Sequence, residues 1–386
     1  MKTLFAYPFR VFFLLTGLYG IGIVLAWIAL LFGGSALPVG WSPLHWHSHE
    51  MLFGFVTPAI AGFILTAICN WTGVPPLQGV KLALLVSTWI LGRVVMWLAG
   101  HLPLLLVAII DMLFLIALAA VLLQILISNG NRRNLPLGGM VLLLALANLF
   151  MHIGFYTANP FWLQQGETLA MLLITLIMLV IGGRIIPLFT SNWLRNSGQP
   201  LTIATPTLLE RAAIITTVLL IPAEWIAIPS LTGVLALSAA LLNGLRLYYW
   251  KGWHAWREPL LWVLHIGYGW LVIALLLKGL SAFGLTPLAS WQHALGVGAM
   301  GTLILGVMTR VALGHTGRPM KLPAFGWLIY IGITLAAIFR VGAALGWMDY
   351  RFGVLIAAAS WCFAFSVFVV IYWPILSRPR VDGRTG

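Results

Sequence analysis

The densest chemistry in the chain is His45-Trp46-His47-Ser48-His49-Glu50, where three imidazoles fall within five residues and a carboxylate follows. Three more residues of the same types, His152, Glu167 and His293, are far away in sequence. The spans set out below bring them to the same depth. Neutral imidazole suits a transition metal or haem iron. A thiolate site is excluded, because neither Cys69 nor Cys362 is near the cluster. The two cysteines form no CxxC and read as small buried hydrophobes. A hard-cation site would want several carboxylates, and only Glu50 and Glu167 are close. The expected metal-ligating set is therefore His45, His47, His49, His152 and His293 with Glu50 and Glu167.

These residues must be positioned by membrane helices. Of 386 residues, 61% are hydrophobic and 8% charged, against about 25% charged in an ordinary soluble domain. So few charges cannot clothe a soluble surface. The apolar runs are continuous and about 20 residues long, which excludes an outer-membrane barrel. Lys2 and Arg10 precede a first run that is longer than a signal-peptide core and lacks a small-residue cleavage site, so it reads as a span. Twelve helices are expected, over 11–32, 48–69, 79–98, 103–127, 135–156, 165–189, 206–228, 231–249, 259–280, 288–313, 324–346 and 351–375. Turn signals separate them, among them Gly33-Gly34-Ser35, Val74-Pro75-Pro76 and Ser197-Gly198-Gln199-Pro200. The longest polar link, 190–205, is too short for a second domain, so residues 1–386 read as a single transmembrane domain.

Twelve spans put both termini on one side. Of the 21 Lys and Arg, all but Arg93, Lys278, Arg340 and Arg351 then fall on that side. The positive-inside bias makes it the cytoplasm of a bacterial inner membrane. The net charge of +13 is thereby assigned to topology and not to nucleic acid. Ionisable residues inside a bilayer are costly and are functional candidates by default. The orientation places the imidazole set near the outer face. A second polar group, with Asn70, Thr72, Arg184, Thr190, Arg310, His315, Thr316 and Arg318, lies at the inner ends. Its Arg and hydroxyl groups suit an anion or a propionate, and lipid headgroups would suit them equally. His265 sits about 10 Å deep from the inner side, at roughly 1.5 Å per residue. Asp111 and Arg93 are expected to pair in the outer half in a structural role, and His101 and His254 to lie in loops.

The chain also repeats. At one offset of 244, the difference between 293 and 49, His49 meets His293, Gly54 meets Gly298, Gly62 meets Gly306, Thr72 meets Thr316 and Gly73 meets Gly317. In the sixth span, Glu167, Arg184 and Thr190 hold comparable places. Three pseudo-repeats of four helices are the expectation. The glycines either leave room for a flat macrocycle or permit close helix packing.

Several segments resemble the NnrS family: HWHSHEMLFGF at 45–55, AGF at 61–63, NWTG at 70–73, GRIIPLFT at 183–190, LWVLH at 261–265 and MTRVALGHTGRP at 308–319. The resemblance covers nearly the whole chain. It implies an inner-membrane protein with haem and copper, linked to nitric oxide metabolism, denitrification and nitrosative-stress defence. On fold-level analogy the bundle also looks like that of haem-copper oxidases and nitric oxide reductases. The chain departs from that pattern, because its tenth span has one outer His and its sixth and seventh have none.

Two functions follow as expectations. The first is a haem redox protein acting on nitric oxide, a nitric-oxide-reductase-like activity with a quinol or cytochrome as electron donor. It has haem b on the axial ligands His49 and His293, copper drawing on the remaining outer histidines, and Arg184, Arg310 and His315 at the propionates. The second is a transporter or channel exporting a metal-nitrosyl or related species. Transporters place their sites near the midplane, and here the polar residues gather at the ends, which favours the first.

Overall fold

The computed structural model describes residues 3–34, 37–199 and 201–383. Lys2, Ser35, Pro200 and Arg384, used above, lie outside the described residues. These are all-helical, with no strand among them. Twelve helical rods match the twelve expected spans to within a few residues at most ends. They are α1 Pro8–Phe32, α2 Pro43–Thr72, α3 Gly79–Trp97, α4 Leu104–Ser128, α5 Arg132–Tyr156, α6 Pro160–Asn196, α7 Thr207–Ile226, α8 Pro229–Tyr249, α9 Pro259–Ala282, α10 Leu288–His315, α11 Trp327–Ala344 and α12 Tyr350–Ser377. All but α7 are long and apolar enough to cross a membrane. The exception carries Glu210, Arg211 and Glu224. The protein is a polytopic membrane protein.

Local sequence explains the ends. Proline opens α1, α2, α8 and α9, where its missing N–H costs nothing. Gly73 closes α2 at φ 76°, in the left-handed region that glycine enters freely. The longest rod, α6, runs past Pro187, beyond the expected end at 189. Membrane helices tolerate such a proline where neighbouring groups satisfy the freed backbone, here the carbonyl of Gly183, four residues before Pro187.

The chain divides into two compact units, Met1–Leu173 with Arg310–Met320 and Phe365–Gly386, and Ile174–Thr309 with Lys321–Ala364. In the first, Phe9, Phe12, Phe13 and Phe55 are fully buried. Arg10 NH1 donates 2.7 Å to the Leu376 carbonyl and 2.9 Å to that of Arg378. In the second, Lys278 pairs with Glu224 at 2.5 Å and lies over the Trp291 ring. Arg246 meets Glu210 at 2.7 Å and Asn243 at 3.0 Å. Three of the four basic residues that broke the positive-inside pattern are thus explained. Arg93 and Lys278 are buried with acidic partners, and Arg340 lies over Tyr350.

The repeat is visible in the backbone. α2 and α10 each change from α to π geometry just after the matched histidine, over Glu50–Val56 and Ala294–Gly301, and then return to α. Both end on a left-handed glycine, Gly73 and Gly317. Thr72 and Thr316 each donate to the carbonyl four residues back. α6 has no π segment, so the likeness is closest between the first and third repeats.

Candidate metal centre in the first unit

Four helices of the first unit supply one buried polar cluster. α2 brings His49 and Glu50, α3 brings Arg93, α4 brings Asp111, and α5 brings Asn148 and His152, one helical turn apart on one face. All six are buried. The π turn is held from outside, since Trp89 Nε1 donates 3.1 Å to the Gly54 carbonyl. Such wide turns recur at functional sites.

Asp111 is the hub. Its Oδ2 lies 3.1 Å from His49 Nε2 and 3.0 Å from His152 Nε2, and it accepts from Asn148 Nδ2 at 2.7 Å. Its Oδ1 pairs with Arg93. His49 is bracketed, with Nδ1 3.0 Å from Glu50 Oε1 and Nε2 2.9 Å from Asn148 Oδ1. Glu50 also pairs with Arg93 and accepts from the Tyr19 hydroxyl. Trp97 Nε1 in turn donates 2.9 Å to Tyr19. Aromatic rings seal the rest. Trp41 lies against His49 and His152 with centroids 5.1 and 5.3 Å away.

Two states balance the charge. With His49 doubly protonated, Arg93 and His49 offset Glu50 and Asp111. With His49 neutral, the cluster is one negative charge in excess, and a bound cation restores neutrality. Ligand atoms of His49, Asp111 and His152 all lie within 4.8 Å of one another. Two imidazoles with one carboxylate are a donor set for copper, zinc or non-haem iron.

The expected ligands divide on this geometry. His49 and His152 are in the group, and Glu50 orients His49 from behind. His47 stacks on Trp27 at 4.4 Å and His45 is half-buried, and both lie outside the group. Glu167 is on α6 in the first unit, and His293 is on α10 in the second. His293 Nδ1 donates 2.7 Å to the Ala289 carbonyl, which fixes Nε2 as its ligating nitrogen. Of the inner set, Arg184 falls in the second unit, and Arg310 and His315 in the first. The His315 carbonyl accepts from Arg380 at 2.8 Å. Arg380 lies beyond the spans, and its hydrogen bonds to Asp382 raise it above the ordinary range of its group. His101 and His254 are exposed in short turns, as expected.

Of the two readings of the glycines, room for a macrocycle or close packing, the side chains around them favour the second. A Cβ on Gly54 would meet Tyr19, Glu50 and Arg93, one on Gly62 would meet Phe12 and Phe13, one on Gly298 Trp270, and one on Gly306 Leu264. The glycines serve close packing. Sequence reasoning gave Asp111 only the structural pairing with Arg93, which is present, and it missed Asn148. The available signal was an Asn four residues before His152 and a lone acid inside the apolar α4.

A family model described as NnrS protein matches residues 3–380. The chain belongs to the NnrS family. Membership suggests a role in the nitric oxide response, and the family is associated with metal cofactors. Among curated proteins no match to the chain was found.

Proposed function

We propose that this NnrS protein is a metal-dependent redox protein of the bacterial inner membrane, acting on nitric oxide from a buried centre on α2, α4 and α5. The supporting observation is the convergence of His49, Asp111 and His152 as buried residues of one cluster. Copper fits this donor set. A haem ligated by His49 fits it less well, because both ring nitrogens already face Glu50, Asp111 and Asn148. His293, with its tautomer fixed, is the better-suited histidine for a haem b.

When bound, the metal would supply a one-electron centre able to take a small diatomic ligand. The chain's own residues do the rest. Arg93 holds both carboxylates in place, Asn148 and Glu50 set the His49 ring, and Trp41 excludes water. A cavity of about 330 Å³ reaches His152, lined by Trp41, Leu104, Val107, Leu149 and Phe155. Its walls are almost wholly apolar, which suits an uncharged gas that partitions into the bilayer. The electron donor is a quinol or a cytochrome, and both termini are cytoplasmic.

Export of a metal-nitrosyl species is the weaker reading, since the cluster is closed by neighbouring side chains and lies toward the helix ends. The test is purification of the protein as expressed, with metal analysis, absorption and electron paramagnetic resonance spectra recorded before and after anaerobic nitric oxide. A stoichiometric metal whose spectrum changes with the gas supports the proposal. A colourless, metal-free protein that still confers resistance to nitric oxide would overturn it.

A further inference from the structure

The second unit holds a cavity that the metal centre does not use. It has a volume of about 420 Å³, lies between the end of α8 and the start of α9, and opens to the surroundings. His265 is on its wall. The hydroxyl of Thr190 donates to the Ile186 carbonyl and therefore receives, at 3.0 Å, the proton on His265 Nε2. That tautomer leaves Nδ1 as a bare acceptor, and it is buried without a hydrogen-bond partner. Gly252 packs closely against this edge of the ring, since a Cβ there would overlap Nδ1. Gly252 has no positive φ, so the backbone itself does not require glycine.

The lining defines what could sit there. Leu247, Tyr248, Trp253 and Ile266 make it apolar and aromatic, and besides His265 it has no ionisable group other than the tyrosine. A charged substrate would find no counter-ion. A metal ion would find no second ligand, because the lining residues include no His, Cys, Asp or Glu besides His265. What fits is a neutral aromatic ring bearing a hydroxyl. Trp253 and Tyr248 are exposed at the rim, 5.2 Å apart, and aromatic residues of this kind mark a membrane–water interface.

We propose that this cavity binds a membrane quinol, whose hydroxyl donates to His265 Nδ1 while its ring lies against Trp253 and Tyr248. As an electron source the ligand rests on the redox reading above, whereas as a binding site it stands independently of the metal centre. The test is a fluorescence titration of the full-length protein in detergent with a hydroxyquinoline N-oxide, a quinol analogue that is quenched on binding, and competition by decylubiquinol.

One lost hydrogen bond corresponds to about five- to tenfold in affinity. We expect that loss in His265→Phe, and a similar loss in Gly252→Ala, with unchanged gel-filtration profiles. His152→Ala should bind the probe like the unaltered protein, so that failure of the metal centre and failure of this site read out separately. Binding unchanged in both cavity variants would overturn the proposal. So would displacement of the probe by phospholipid but not by decylubiquinol, or loss of a haem or copper on His265→Phe with probe binding intact.

Discussion

His152 separates a metal centre from a closed ion-pair network. In the structure its ring makes one polar contact, 3.0 Å from Asp111 Oδ2, and it faces the apolar cavity. If the cluster serves only the fold, His152→Ala costs one buried hydrogen bond and some packing, about 1–2 kcal/mol. Asp111 would keep Arg93, His49 and Asn148. If His152 is a ligand, the same change leaves two protein ligands of three. Even groups one step behind a ligand are worth about 10–100-fold in metal affinity, so the loss should reach at least about 100-fold, and metal should be absent after purification.

Arg93→Gln gives the opposite balance. It removes no ligand but strands two buried carboxylates, which costs about 3–5 kcal/mol. The assay is metal per chain by mass spectrometry, beside the apparent melting temperature. We expect His152→Ala to melt near the unaltered protein and hold almost no metal. Arg93→Gln should melt much lower and keep metal in whatever folds. Full metal content in His152→Ala would refute the assignment of this side chain, and with it the three-ligand centre.

Other consequences can be checked separately. Gly54→Ala places a methyl group against Tyr19, Glu50 and Arg93 and should destabilise the protein by about 1–3 kcal/mol with partial loss of metal, read by melting and metal analysis. Lys278→Met leaves Glu224 without its partner in the second unit and should cost about 3–5 kcal/mol. Adding Glu224→Gln should recover most of that in a double-mutant comparison of melting temperatures. Reporter fusions after Arg133 and Ser197 should read cytoplasmic, and those after Gly34 and Ala158 external. One reversed loop would undo the depth argument. Arg184→Gln and Arg310→Gln should weaken cofactor retention more than Arg378→Gln, and equal small effects would assign all three to topology.

The helices were legible because their signal is averaged over many residues. An apolar run of about 20 residues has one low-energy solution in a bilayer, where every backbone group must be satisfied within the segment. The side-chain cluster was legible only in part. His49 and His152 stand out as imidazoles in apolar helices, and Asp111 was paired correctly with Arg93. That Asp111 also joins the two histidines depends on how far α2, α4 and α5 are rotated about their axes. The π turn after His49 contributes to that rotation, and no residue pattern in 45–55 announced it.

The offset of 244 shows the same division between backbone and chemistry. It correctly paired two helices that share a π turn, a back-bonding threonine and a left-handed glycine. It carried no information on what surrounds them. Where α2 has Glu50, α10 has Ala294. Where Gly54 is covered by Tyr19, Glu50 and Arg93, Gly298 is covered by the indole of Trp270. One backbone device is thus used twice, once with a charged network beside its histidine and once with an indole against its glycine. Beside two acids and one Arg, the cluster around His49 has one negative charge to offset, which a proton on His49 or a bound cation would balance. His293, at the same place in α10, is followed by Ala294, and its Nδ1 donates to the Ala289 carbonyl. The two histidines that look equivalent in sequence thus share a backbone setting, while the acid that follows the first is replaced by an alanine after the second.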